Sequence, residues 1–424
     1  MFQTIITFII VFSILVIIHE FGHFYFAKKA GILVREFAIG MGPKIFSHRN
    51  NGTTYTIRML PIGGYVRMAG IGDEDTELKP GMPLNITLDE EQQVIQIDLS
   101  NKQHLQAVPI ELLEADLEHA RFIEGIIPGS SEPVRYAVKR DATIIETDGT
   151  EVQIAPIDVQ YQSAPLLKRM LTNFAGPMNN FILGIAVFIA IAFVQGGVTV
   201  NESRLGEIQP DSPADAAGLR ENDEVLAVNG DATADWTELV TSIQANPGNQ
   251  ITLTVVTDGE EARDVLVTPD TKTDEQGNEY GLIGVAVPMD RTLMAKISYG
   301  FKEFWVIATS IFGLVFAMFR TGFQADSFGG PVAIYAATEQ VVDYGFLSVL
   351  SFLAYLSINL GVVNLLPIPA LDGGKLLLNL VEGIRGKPLD PEKEGIITAI
   401  GMGLLLLLMV IVTWNDIQRF FFGQ

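Results

Sequence analysis

The chain has no cysteine among its 424 residues. That excludes a disulfide scaffold, a zinc ribbon, a thiol nucleophile and an iron–sulfur centre. Charge is scarce and one-sided: charged residues make up 18%, and 28 Lys+Arg face 50 Asp+Glu, a formal net charge of −22. Nucleic acid is therefore not an expected partner, because no basic footprint exists to bind it. Histidine is scarce too, with His19, His23, His48, His104 and His119 making up the whole set. Any metal must use these, carboxylates, or both. What abounds is apolar side chain, at 48%, which with so little charge excludes general disorder and argues against an ordinary soluble enzyme.

The apolar residues are gathered into runs. The first extends from Phe2 to Ile18 and on through Phe24–Ala27, interrupted only by His19, Glu20 and His23. No basic residue precedes it and Lys28-Lys29 follow it. This is the charge order of an uncleaved spanning helix with its N-terminus outside, not of a signal peptide. Further runs at about 181–200, 346–366 and 396–413 each approach the roughly 20 residues that a helix needs to cross the hydrocarbon. A shorter run at 304–319, between Lys302 and Arg320, either crosses or lies along the interface. The loops decide between these. Residues 28–67 carry Lys28, Lys29, Arg35, Lys44, Arg49, Arg58 and Arg67 against the single acid Glu36, whereas 201–295 carry five basic and nineteen acidic side chains. The loop with Lys375, Arg385, Lys387 and Lys393 is basic again. An odd number of crossings must separate the acidic domain from that loop. The expectation is thus four spans, both termini outside, and 304–319 not crossing but lying on or dipping into the membrane.

Between the spans, residues 32–68 alternate like strands and are punctuated by Gly40-Met41-Gly42-Pro43, Asn51-Gly52 and Gly63-Gly64. Asn-Gly between two such runs signals a β-hairpin, which either dips into the bilayer edge or rests on the headgroups. Residues 71–173 read as an acidic cytoplasmic α+β insert with a helix-like piece at Pro109–Arg121; His104 and His119 read as ordinary surface histidines within it. Residues 201–290 contain Ala217-Gly218-Leu219, Asp223-Glu224-Val225 and Asn229-Gly230, and resemble a PDZ domain, with Glu221-Asn222-Asp223 where Gly-Asp is usual. Such domains bind chain ends or extended segments by strand addition. The expected fold is a polytopic α-helical membrane protein of four spans with a membrane-associated β-hairpin and an inserted PDZ domain. Its segments are a first span at 1–30, the hairpin at 31–70, the insert at 71–173, a second span at 174–200 and the PDZ domain at 201–290. An interfacial helix and linker at 291–344, a third span at 345–374, and a loop with the fourth span at 375–424 complete the chain.

The chemistry concentrates in His19-Glu20-Phe21-Gly22-His23, an H-E-x-x-H motif on the first helix. Spacing of i, i+4 puts both imidazoles on one face, one turn apart, where they can share an ion. Glu20 beside them suits the removal of a proton from metal-bound water. Ionisable groups inside a span are costly and functional by default. A hydrolytic zinc site wants three protein ligands and an open position. The third span ends in Asn364-Leu365-Leu366-Pro367-Ile368-Pro369-Ala370-Leu371-Asp372-Gly373-Gly374, where prolines break the helix and glycines allow close approach around one acid, so Asp372 is the candidate third ligand. Asn364 and Asn359 can offer amide hydrogen bonds to a peptide or an oxyanion, or bond between helices.

Taken together, H-E-x-x-H, the Gly40-Met41-Gly42 turn, the PDZ insert and the N-x-x-P-x-P-x-L-D-G run resemble the site-2 protease family, specifically its bacterial regulator-of-sigma-E (RIP) metalloprotease branch and the Gram-positive type with one PDZ domain. The resemblance covers essentially the whole chain. It implies Zn2+ held by His19, His23 and Asp372, Glu20 as general base, and a hairpin region, including the Gly40 and Gly42 turn, that pairs with substrate as a strand. It also implies a bacterial cell-membrane enzyme working in regulated intramembrane proteolysis. Its partners would be the lipid bilayer and single-span membrane-protein substrates, anti-sigma factors or signal-peptide remnants. Two rivals remain at this point: a transporter, since broken helices with intramembrane acids also mark ion paths, and a membrane-tethered PDZ scaffold with an inert metal site.

Overall fold

The computed structural model describes residues 2–71, 78–100, 107–130, 132–257, 259–274, 276–322 and 329–421; His104 lies outside them. The chain divides into two compact units, residues 1–187 with 303–424, and residues 188–302.

The first unit opens with helix α1 (Phe2–Ala30). Its buried residues Thr4, Val11, Leu15, His19, Gly22, His23 and Ala27 recur at helical spacing, so both histidines lie on the inward stripe. Gly31, at φ 86°, ends the helix in the left-handed conformation that a side chain resists. Strands β1 (Val34–Asn50) and β2 (Thr53–Met68) follow. Asn51 and Gly52 both have positive φ, the primed turn that Asn-Gly favours. The expected hairpin is more elaborate than its sequence signal. Residues 44–50 pair with 53–58, residues 36–39 pair with both 54–57 and 64–67, and β1 and β2 each bend on themselves, near Gly40–Gly42 and near Gly63. Four extended segments therefore lie side by side in the order 44–50, 53–58, 34–39, 64–68. One face is apolar: Phe37 and Tyr55 pack on Phe24 of α1, while Phe46, Ile57 and Met59 stay exposed. The other carries Glu36, which accepts from Thr56, Arg58 and Tyr65, and Arg67, which pairs with Glu146.

The insert differs from expectation. Its strands β3 (Pro83–Leu88), β4 (Val94–Asp98), β5 (Val108–Asp116), β6 (Phe122–Ile126), β7 (Pro133–Ile145) and β8 (Glu151–Gln153) lie in the order β4-β3-β5-β6-β7-β8. Because β4 also pairs with β7 in parallel, the sheet closes into a small barrel. Its interior holds Ile86, Ile97, Ile110, Leu112, Ile123 and Ile144. The piece expected as a helix, Pro109–Arg121, is β5 and the turn after it. Glu, Leu and Ala there favour helix, but Ile110 and Leu112 are buried and Glu111 and Leu113 exposed. That period of two fits a strand, and barrel closure outweighs the local propensity.

Helix α2 (Leu166–Val194) begins eight residues before the expected second span and continues through Pro177. The second unit then contains β9 (Val198–Thr199), α3 (Pro213–Ala216), β10 (Glu224–Val228), β11 (Asp231–Ala232), α4 (Trp236–Gln244), β12 (Ile251–Val256), β13 (Arg263–Val267), β14 (Asp270–Thr273), β15 (Glu279–Leu282) and β16 (Met289–Asp290). A sheet ordered β11-β10-β12-β13 packs Val225, Val228, Leu253 and Val255 against Leu239 and Ile243 of α4, as a PDZ-like unit does. Asn222, in the turn where glycine is usual, takes φ 74°, a conformation asparagine tolerates better than most residues.

The chain continues in α5 (Leu293–Thr321), α6 (Pro331–Asp343), α7 (Phe346–Asn364), α8 (Asp372–Arg385) and α9 (Pro391–Phe421). The stretch expected at 304–319 is the second half of α5, which starts eleven residues earlier. Among the described residues there are then five helices long and apolar enough to cross a membrane: α1, α2, α7, α9 and residues 293–318 of α5. Linker residues 331–343 form α6, and the loop after the third span begins as α8, two helices that hydropathy alone did not reveal. Contacts set helix directions. Ser357 donates to the Asn180 carbonyl, and a side chain at Gly184 would meet Ile358, one at Gly361 Phe181, so α7 runs antiparallel to α2. His19 lies by Asn180 and His23 by Thr172, so α1 is antiparallel to α2 and parallel to α7.

Candidate active site

The site forms where α1 and α2 cross with almost nothing between them. A side chain at Gly22 would strike the Ala175 carbonyl, and one at Gly176 would strike the His23 ring and come within 2.8 Å of His19 Cε1. From the other side, Leu365 to Leu371 fold back over Gly373 and Gly374, which a side chain would drive into the carbonyls of Leu365, Leu366 and Ile368. Ala370 accepts φ 78° in that loop, local strain of a kind that persists where surrounding structure enforces it. The result delivers Asp372, the first residue of α8, to the two histidines of α1.

Three ligand atoms converge. His19 Nε2 and His23 Nε2 are each 3.2 Å from Asp372 Oδ2, and 3.2 Å from one another. All three residues are buried and their ligand atoms fall within 4.8 Å. Ligands about 2.0–2.1 Å from a tetrahedral zinc stand about 3.3–3.4 Å apart, so the triangle fits such an ion without rearrangement. Asp372 Oδ2 is buried and receives no hydrogen bond, and two imidazole nitrogens facing each other cannot both be satisfied by donation between themselves. A cation answers all three at once. The outer nitrogens are fixed as well. His23 Nδ1 lies 2.8 Å from the Thr172 carbonyl, and His19 Nδ1 lies 3.2 Å from the Asn180 amide, whose oxygen is otherwise unpartnered. With that amide rotated, both Nδ1–H groups donate and both Nε2 lone pairs face inward.

The cavity is lined by Glu20, Tyr65, Val66, Met68, Asn173, Asn364, Ala370 and Lys375 beside the three ligand candidates. The outer sheet segment 64–68 passes over Glu20: a side chain at Gly64 would come within 3.7 Å of Glu20 Cγ. Among the described residues no other strand pairs with the free edge of that segment. Of the residues singled out from sequence, His19, Glu20, His23, Asp372 and Asn364 are brought together. Asn364 also bonds the Leu360 carbonyl of its own helix. Asn359 does not line the cavity, and Gly40 and Gly42 shape the bend of β1 instead, at φ 88° and 82°. Thr172, Asn173, Asn180, Tyr65 and Lys375 were missed. Asn179-Asn180 inside an apolar helix was the available signal, since polar groups in a span usually serve a site.

The model of peptidase family M50 matches residues 7–408. The chain is 53% identical over 424 residues, 99% of its length and 100% of the other, to an Enterococcus faecalis protein described as the protease eep. It is 48% identical over 435 residues, again 99% and 100%, to a Lactococcus lactis protein described as a zinc metalloprotease. A solved PDZ domain of an SdrC-like protein from Listeria monocytogenes matches 21% of the chain and 90% of that domain, at 19% identity and a TM-score of 0.18. The chain belongs to peptidase family M50, the site-2 protease family. It is a zinc-dependent metalloprotease of the multi-pass membrane type, which removes the transporter and scaffold alternatives.

Proposed function

We propose that the chain hydrolyses peptide bonds inside the transmembrane segments of single-span membrane proteins. Its zinc would be held by His19, His23 and Asp372, with Glu20 as the base. The observation that carries the reading is the triangle of ligand atoms, 3.2 Å on a side, opening onto Glu20 and the free strand edge at 64–68. Zinc bound there lowers the pKa of water and polarises a carbonyl. Glu20 takes the proton from the attacking water and returns it to the leaving amine. A helical substrate must first unwind, because its amides are shielded by their own hydrogen bonds. Segment 64–68 offers replacement partners by strand addition, laying the extended chain across the cavity, and Asn364 supplies an amide to it.

Four crossings fit this arrangement. With α1 and α7 parallel and α2 opposed, the chain must leave α2 and begin α7 on the same membrane face. A single crossing by α5 would violate that, so α5 does not carry the chain across, although it packs along α2 through Tyr299 on Phe188 and Phe304 on Phe181. Lys28, Lys29, Lys168, Arg169, Lys375 and Arg385 then gather on one face, the cytoplasmic one. Both termini and the PDZ-like unit lie outside a bacterial plasma membrane, and that unit screens bulky ectodomains. The exposed Phe46, Ile57 and Met59 on the sheet enter the cytoplasmic edge of the bilayer. The substrates in this reading are anti-sigma factors or signal-peptide remnants in regulated intramembrane proteolysis.

The test is Glu20→Gln in detergent-solubilised protein against a tagged single-span peptide. One zinc per chain is expected to remain, with cleavage lowered by about 10²–10⁴-fold. Cleavage at the wild-type rate removes Glu20 from the role of base.

A further inference from the structure

The charged face of the four-segment sheet is not solvated; it is covered by the barrel. The turn between β7 and β8 places Glu146, Asp148 and Thr150 against it, and β8 adds its first residue, Glu151. Arg67 Nη1 donates to Glu146 Oε1 at 2.6 Å, with both side chains only 10–11% exposed. Arg58 Nη2 lies 3.8 Å from Asp148 Oδ2, Arg49 pairs with Glu151 at 3.3 Å, and Lys44 donates to Thr150 at 3.3 Å. Each of the four segments except 34–39 is thus tied directly to the turn. Segment 34–39 is tied through Glu36, 1% exposed. Its carboxylate accepts from Thr56, from Arg58 Nη2 at 2.8 Å and from the Tyr65 hydroxyl at 2.8 Å. Arg58 also donates to the Gly42 carbonyl at 2.9 Å and stacks over the Tyr65 ring.

These contacts lead to the catalytic cavity. Tyr65 lines it, and Arg67 sits two residues along the same segment and on the same face. Burial, then the Glu36 carboxylate, push the Tyr65 phenol well above its usual range, so it remains an O–H donor to Glu36. Buried ion pairs contribute little net stability but fix geometry, and losing one partner leaves an uncompensated charge.

We propose that the barrel insert is a brace for the substrate-receiving edge, with Glu146 as a positioning residue. Through Arg67 it holds segment 64–68 at its distance from the metal ligands. The Glu36–Arg58–Tyr65 group holds the same segment from within the sheet. This rests on the reading that substrate adds as a strand at 64–68. It gives the insert a part in the reaction: it acts on the edge strand and leaves the metal site untouched.

The experiment uses full-length protein carrying Glu146→Arg, Arg67→Glu, both together, or Glu146→Gln. It measures zinc content, kcat and KM on a single-span peptide, and amide hydrogen exchange over residues 64–68. Each charge reversal is expected to leave one zinc per chain, speed exchange at 64–68, and lower kcat/KM by up to about a hundredfold, as a misplacement near 1 Å does. The loss falls mainly on kcat, because the chain still binds but is held out of line. Glu146→Gln gives a smaller loss, and the double reversal regains at least tenfold over either single variant. Wild-type exchange and kcat in Glu146→Gln and both reversals overturn the proposal, as does a double variant no better than the singles while zinc is retained. If exchange responds and recovers as expected but kcat and KM do not, the brace stands and the strand-addition reading fails.

Discussion

The cavity and the sheet beside it are held by opposite means. At the cavity, α1, α2 and the 365–374 loop approach because Gly22, Gly176, Gly373 and Gly374 carry no side chain. At the sheet, neighbouring segments are held by long charged side chains, Arg58 and Arg67 against Glu36, Asp148 and Glu146. One region therefore fails when an atom is added, the other when a partner is taken away. At Gly22, Gly373 and Gly374 backbone lies against backbone, and at Gly176 it lies against the histidine rings. The sheet has a register that charge selects, which suits an edge that must receive a second chain.

The sharpest break lies at the point where the cavity does depend on a partner. Asp372→Ala removes one of three candidate ligands and leaves two imidazoles facing a void. Bound zinc, measured by elemental analysis, is expected to fall tenfold or more, with activity falling alongside. Unchanged zinc would make Asp372 a structural residue only. Next comes the added atom. Gly176→Ala drives a methyl into His23 and forces the crossing apart, at a cost of about 1–3 kcal/mol for overpacking. Zinc retention is expected to drop and the detergent melting temperature with it. Gly313→Ala, with nothing within 4 Å of the added methyl, is the control; it is expected to hold zinc and to melt no lower than wild type, since alanine favours helix. Equal behaviour of the two variants would erase the distinction between the regions. Smaller again is Asn180→Ala, which removes the amide beside His19 Nδ1 and is expected to weaken zinc affinity about 10–100-fold, read by chelator competition.

The same contrast explains what sequence could convey. His19, Glu20, His23 and Asp372 were readable because ionisable groups in apolar runs have few other reasons to exist. The Asn51-Gly52 turn was readable because few residue pairs adopt two left-handed conformations in succession. The barrel was not. Glu111, Leu112, Leu113, Glu114 and Ala115 favour helix, and only β4 meeting β7, some forty residues away in sequence, decides otherwise. The bends in β1 and β2 were hidden for a related reason: Gly40, Gly42 and Gly63 announce turns but not which segments become neighbours. Asn180 was overlooked because its partner, His19, lies 161 residues away. Local chemistry shows in a sequence; pairing across distance does not.

The smallest expected effect tests whether strain at the cavity is part of its closeness. Ala370 holds φ 78°, where a residue with a side chain costs about 1–3 kcal/mol over a relaxed backbone. Glycine removes that cost but adds backbone entropy to the unfolded chain, about 0.5–1 kcal/mol in the other direction. The balance is neutral to favourable, so Ala370→Gly is expected to leave zinc content unchanged and cleavage within about threefold of wild type. Ala370→Val, β-branched in the same conformation, has no such compensation. Because Gly374 meets the Ile368 carbonyl in that loop, a shift at 370 displaces Asp372, and zinc is expected to fall in the valine variant. If valine behaves as glycine does, the loop is soft, and the cavity depends on Gly176 and the α1–α2 crossing alone.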